Sequence, residues 1–142
     1  MTDRDVVTAK LAELEDRLGR VRANVRATAS ELASDRDASD LVAFNLMLAV
    51  QTCLDVASHV IADERWAPAA TLAESFHRLA ERGVITAETD AALGRAASFR
   101  NVVAHGYGRV VSEILFTAAT DGLLDLERFA REVAAWLARR PT

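Results

Sequence analysis

From Asp37 to Glu64 the chain is apolar on almost every side of a helix, and this segment limits what the rest can build. Leu41, Val42, Phe44, Leu46, Met47, Leu48, Val50, Leu54, Val56, Val60 and Ile61 cover most of its circumference. A helix of that kind is central to a bundle or faces a partner chain. Asn45, Gln51, Thr52, Asp55, Ser58 and His59 interrupt it. It therefore lacks the run of about 18 uninterrupted apolar residues that a membrane span needs. Gln51, Asp55 and His59 recur every fourth residue and form one polar stripe. Asp55 and His59 suit two ligands of a metal, but no third ligand accompanies them. We read them as a hydrogen-bonded pair, or as side chains that support a site from behind.

The flanking segments also follow the helical period. Val6, Val7, Leu11, Leu14, Leu18, Val21 and Val25 predict one helix over roughly residues 3–33, with Asp3 or Thr2 as its cap. Arg17, Arg20, Arg22 and Arg26 crowd its second half. We read them as a solvated face, with a phosphate-contacting patch as the sharper alternative. Pro68 closes the central helix. Thr71-Leu72-Ala73-Glu74 is a capping box for a short helix that stops at Gly83, with His77 on its surface. Two further helices follow, over about residues 87–104 and 112–139, with Gly122 a candidate break in the last. No segment alternates with period two. Residues 1–142 read as a single domain, an all-α antiparallel bundle of about five helices.

Composition narrows the function. With 51% hydrophobic and 27% charged residues, the chain of 142 residues has enough apolar material for one core. Cys53 is its single cysteine, which excludes an internal disulfide framework and a multi-cysteine zinc site. The formal net charge is −4. Proteins that coat nucleic acid are usually basic, so any contact with it here must be local. The opening Met1-Thr2-Asp3-Arg4-Asp5 lacks the pattern of a signal peptide, and a cytoplasmic location is the expectation.

The chemistry concentrates in Phe99-Arg100-Asn101-Val102-Val103-Ala104-His105-Gly106-Tyr107. Asn101 and His105 are one helical turn apart, with Arg100 beside them and the only tyrosine just beyond. The group supplies a cation for phosphate, a side chain that titrates near neutrality and two hydrogen-bonding partners. Spacing alone also fits a helix C-terminus whose Arg and His complement the dipole.

The pattern R-x4-H-x-Y formed by Arg100, His105 and Tyr107, with Phe99 before it and Asn101 within it, resembles the signature of HepT-like toxins in the HEPN superfamily. Asn45 to Ile61, the Trp66-Ala67-Pro68 turn, Phe76 and Leu79 followed by Gly83-Val84-Ile85, and Phe99-Arg100-Asn101 stand in that family's order. The resemblance covers roughly residues 40–111. Ala104 departs from the bulkier apolar residue often found before the His. Gly108-Arg109-Val110-Val111 is less acidic than is common, which leaves substrate preference open.

The resemblance implies a HEPN-like homodimer whose motif helices line one cleft. It implies a metal-independent RNA endonuclease, without cofactor, that acts as the toxin of a toxin–antitoxin pair. RNA would be the substrate, with transfer RNA the family-level expectation, and neither DNA nor membrane a partner. An MntA-like nucleotidyltransferase antitoxin would attach AMP to Tyr107. RNA carries its own nucleophile, the 2′-OH. His105 would then move protons, and Arg100 would hold the phosphate. Asn101 would orient His105 or the phosphate, and Tyr107 would donate to the phosphate or position the sugar. The alternative is a non-catalytic helical partner that binds a nucleotidyltransferase or its nucleotide.

Overall fold

The structure, a computed structural model, describes residues 2–104 and 112–140. Among them are six helices and no strand: α1 (Arg4–Asn24), α2 (Ala29–Ser34), α3 (Arg36–Asp63), α4 (Leu72–Glu81), α5 (Ala87–Ala104) and α6 (Ser112–Arg139). The all-α bundle expected from the periodicity is present, with one more helix than expected.

The extra helix comes from a break in the first predicted segment. Val25 is extended, and Thr28 starts a new helix by accepting a hydrogen bond from the Glu31 amide at 3.1 Å. Asp35 then ends α2 and caps α3 through the Ala38 amide, while its carboxylate also binds Arg26. These hydrogen bonds, the Ala38 amide foremost, lower the Asp35 pKa below the usual aspartate value. Asp3, not Thr2, caps α1. Gly122 does not break α6, which runs through it.

The helix α3 touches all five others. Its Val42, Ala49, Cys53, Val56, Ala57 and Val60 have no exposed surface. Burial pushes the Cys53 thiol pKa up and keeps it protonated. The polar side chains on this helix that enter the core return to their own backbone. Asn45 donates to the Leu41 carbonyl and Thr52 to the Leu48 carbonyl. This helix is also long and apolar enough to cross a membrane by length and composition. Its packing against every other helix is a sufficient account of that apolarity.

Paired side chains set the directions. Thr2 meets Glu64, the Asp3 amide meets Asp63, Lys10 lies 3.7 Å from Asp55, and Arg17 donates to Asn45. The start of α1 therefore lies against the end of α3, and the two run antiparallel. Arg4 reaches the Arg140 carbonyl and Arg22 reaches Glu127, so α6 is antiparallel to α1 as well. Phe76 and Phe129, both fully buried, meet edge to face at 5.8 Å and lock α4 to α6.

The end of α3 is set before Pro68. Arg65 adopts a left-handed backbone (φ 58°), and the Trp66 amide returns to the Ile61 carbonyl at 3.0 Å. That is a Schellman closure built on a residue other than glycine. Gly83 (φ 73°) turns the chain after α4, as expected. Thr71 caps α4 through the Glu74 amide, and the Glu74 carboxylate returns to the Ala70 amide.

His77 on α4 lies 3.0 Å from Asp90 on α5. The hydrogen bond and charge of Asp90 raise the His77 pKa above the ordinary value of 6.5. A pKa raised on folding adds stability that is complete below the unfolded value and is lost as pH rises through the folded one. His77 is exposed, so the effect is small. From about pH 6 to about pH 8, the fall in urea midpoint should be steeper in the wild type than in Asp90→Asn. Equal slopes would remove this pair as its cause.

Candidate active site

The helix α5 carries the motif arginine, and its two ends are held differently. At its start, Thr86 caps the helix through the Thr89 amide, and Glu132 accepts from the Thr86 amide and the Thr89 hydroxyl. Arg128 donates to the same Thr89 oxygen at 2.8 Å. This cluster ties the first turn of α5 to α6. Leu93 and Ala97 then bury one face of α5, and Phe99 packs against the core.

At the far end, Arg100 projects to α3. Its Nη2 donates to Gln51 Oε1 at 2.6 Å, and its Nη1 donates to Asn101 Oδ1 at 3.0 Å. Gln51 Nε2 donates onward to Asp55 Oδ1 at 3.0 Å. The other Asp55 oxygen lies 3.7 Å from Lys10, which also approaches Glu13 at 3.6 Å. A continuous polar line thus runs from α1 through α3 to α5.

Arg100 differs from six other arginines of the bundle. Arg20, Arg22, Arg26, Arg78, Arg128 and Arg140 each have a carboxylate within ion-pair distance. Among the described residues Arg100 has none, and its two partners are neutral amide oxygens. A guanidinium held this way keeps its full charge for an incoming anion. In the basic run over residues 17–26, Arg20 pairs with Asp16, Arg22 with Glu15 and Glu127, and Arg26 with Asp35, while Arg17 donates to the Asn45 amide oxygen. The solvated-face reading accounts for Arg20, Arg22 and Arg26, whereas Arg17 turns inward to α3.

The structure therefore brings together Arg100, Asn101 and Asp55, the last through Gln51. His59 is not part of this group. It stands one turn beyond Asp55, with Nε2 2.9 Å from Asp63 Oδ2. The Asp55–His59 pair is replaced by Gln51–Asp55 and His59–Asp63, because each side chain has a closer partner one turn away on its own helix. His105 and Tyr107 lie outside the described residues. No cluster of three or more His, Cys, Asp or Glu side chains suited to a metal occurs among the described residues. Gln51 was visible in the sequence as part of the polar stripe, yet its contact with α5 depends on how the helices cross.

A cavity of about 570 Å³ opens between α3, α5 and α6, lined by Val50, Phe99, Ile114 and Leu126 among others. Among the described residues, its lining carries the acids Glu113, Asp121 and Asp125 and one cation, Arg95. Arg100 is not among its lining, and the anion-competent group is the one on the α3–α5 seam.

The family model described as Ribonuclease HepT-like matches residues 14–133. The chain belongs to the ribonuclease HepT-like family. It is 24% identical over 131 residues to the mRNA nuclease HepT of Shewanella oneidensis, covering 92% of this chain and 98% of that protein. The solved structure of a tri-AMPylated Shewanella oneidensis HEPN toxin in complex with MNT antitoxin matches with a TM-score of 0.85. That match has 23% identity and covers 94% of this chain and 99% of the toxin. YutE of Bacillus subtilis, described as a cytosolic protein of unknown function, matches with a TM-score of 0.84 at 15% identity, over 99% and 96% of the two chains. At these identities the solved structures establish a shared HEPN fold.

The placement of His59 yields a test on this HepT-like chain. His59→Ala should cut RNA at the wild-type rate, since its neighbour Asp63 lies about three helical turns along α3 from Gln51. A loss of cutting with unchanged thermal stability would bring His59 back into the site.

Proposed function

We propose that this chain is a metal-independent RNA endonuclease, the toxin of a toxin–antitoxin pair, and that Arg100, Asn101, His105 and Tyr107 form its active site. The observation that carries the reading is Arg100 itself: an uncompensated guanidinium, aimed by two amides, on the helix that leads into the R-x4-H-x-Y motif. The 2′-OH of RNA attacks the adjacent phosphorus, and the bond from phosphorus to the 5′-oxygen breaks. A base takes the 2′-OH proton, and an acid returns one to the leaving 5′-oxygen. His105 suits either role at neutral pH. Arg100 neutralises the charge that develops on the phosphorane oxygens.

The chain works as one domain and as a homodimer in the cytoplasm. Leu41, Phe44, Leu48, Gln51 and Asp55 recur at steps of three and four along α3, and none of them is buried. Leu41 and Phe44 are 47% and 51% exposed on a helix that is otherwise mostly core. This apolar stripe runs directly into the polar line that holds Arg100. A second copy seated on it would bring two motif helices together and supply two His105 side chains to one cleft. Phe44→Asp should convert the dimer to a monomer in light scattering and reduce cutting. A dimer that survives the substitution would move the interface elsewhere.

The partner is a nucleotidyltransferase antitoxin of the MntA type that transfers AMP to Tyr107. An added nucleotide brings negative charge and bulk beside Arg100, where an RNA phosphate would otherwise sit. The relative's name, mRNA nuclease, and the family-level expectation of transfer RNA define two substrates to offer. In EDTA, wild type should cut one of them, and Arg100→Ala and His105→Ala should lower the rate by at least about a hundredfold with unchanged helicity. Tyr107→Phe should resist AMP transfer by intact mass. An intact, folded wild type free of AMP that cuts neither RNA would favour the alternative, a non-catalytic partner of the transferase.

A further inference from the structure

We infer that Gln51 is the residue that positions Arg100 for phosphate, with Asp55 fixing the orientation of its amide; the inference rests on the ribonuclease reading above. An arginine side chain has several rotatable bonds, and holding it in one geometry requires partners at its tip. Arg100 Nη2 finds one on a different helix, Gln51 Oε1 at 2.6 Å. The Asn101 contact, between adjacent residues of α5, cannot by itself tie the guanidinium to the rest of the bundle.

The chemistry of a glutamine fits this position. Its carbonyl oxygen accepts from the guanidinium without offsetting the positive charge. A carboxylate at the same place would pair with Arg100 and compete with a phosphate for it. An amide can also turn around and present its NH2 group, which would repel the guanidinium. Asp55 prevents this by accepting from Gln51 Nε2 at 3.0 Å, so only the oxygen is left to face Arg100. Lys10, 3.7 Å from Asp55, offsets the aspartate charge on the side away from Arg100. The arrangement is a neutral clamp backed by an ion pair. It sits at one end of the apolar stripe of α3, so it would lie at the mouth of the cleft in an assembled pair.

The experiment compares full-length wild type, Gln51→Ala, Gln51→Glu and Asp55→Asn in two readouts. The first is cleavage of total cellular RNA, resolved into kcat and KM. The second is the guanidino 15N NMR signal of Arg100, which needs no RNA. Gln51→Ala should lower kcat/KM about tenfold, the scale of losing one hydrogen bond to a charged group, and its Arg100 signal should show free rotation. Gln51→Glu should keep that signal restrained yet raise KM about tenfold, since its carboxylate holds Arg100 but competes with phosphate. Asp55→Asn should fall between wild type and Gln51→Ala in both readouts. A wild-type KM in Gln51→Glu would overturn the neutral clamp. A restrained Arg100 signal and wild-type kcat/KM in Gln51→Ala would overturn the positioning role, as would a loss of activity that only tracks a lower unfolding midpoint. If the wild type cuts no RNA, the ribonuclease reading fails, while the guanidino signals still decide whether Gln51 holds Arg100.

Discussion

Every element of this bundle leans on α3, and the sequence of α3 is shaped by that demand. A helix contacted by all five others must be apolar around most of its circumference. Its few interior polar groups must satisfy themselves, as Asn45 and Thr52 do through their own backbone. One stripe escapes this requirement, Leu41-Phe44-Leu48-Gln51-Asp55. The proposed site lies there: the lower half of the stripe is polar and receives Arg100, and the upper half stays apolar and open. The core and the site are therefore two sides of one helix. A change that rotates α3 by a fraction of a turn would disturb both.

Most of the fold was legible because each helix carries its own start and stop. The capping box at Thr71, the left-handed Gly83 and the uninterrupted period of the last segment all translate directly into local geometry. The break near residue 25 was missed because Val21, Val25 and Leu32 keep an approximate helical spacing across it. The local signal was present all the same. Thr28 with Glu31, and Asp35 with Ala38, supply two caps within a few residues, and each holds an amide that a continuous helix would have bonded internally. The apolar period runs across the break, but the backbone follows the caps.

The site was legible in a different sense. The motif residues stand close in sequence, so Arg100 and Asn101 could be found from the chain alone. What could not be found is which residue of α3 meets Arg100. The stripe of Gln51, Asp55 and His59 offers three candidates at the same face, and only the crossing of α3 and α5 chooses among them. That crossing depends on the packing of α5 against α3 and α6, with the start of α5 tied to α6 by Thr86, Thr89, Arg128 and Glu132. Such long-range registration leaves no mark in local spacing. His59 illustrates the limit: it has the right residue type and period, but it lies one turn too far along and approaches Asp63 instead.

An acidic chain that handles RNA must solve an electrostatic problem, and the distribution of partners shows how this one does. A net charge of −4 gives no general attraction for a polyanion. Six other arginines have a carboxylate within ion-pair distance, and the described lining of the cavity between α3, α5 and α6 is acidic. Arg100 is left charged because both of its partners are amides. Under the proposed function, the substrate phosphate would be drawn to a place rather than to a surface. That arrangement also makes the site easy to silence. Where a basic protein would need many charges masked, under the proposed function a single covalent nucleotide that engaged Arg100 would be enough to serve as an off-switch.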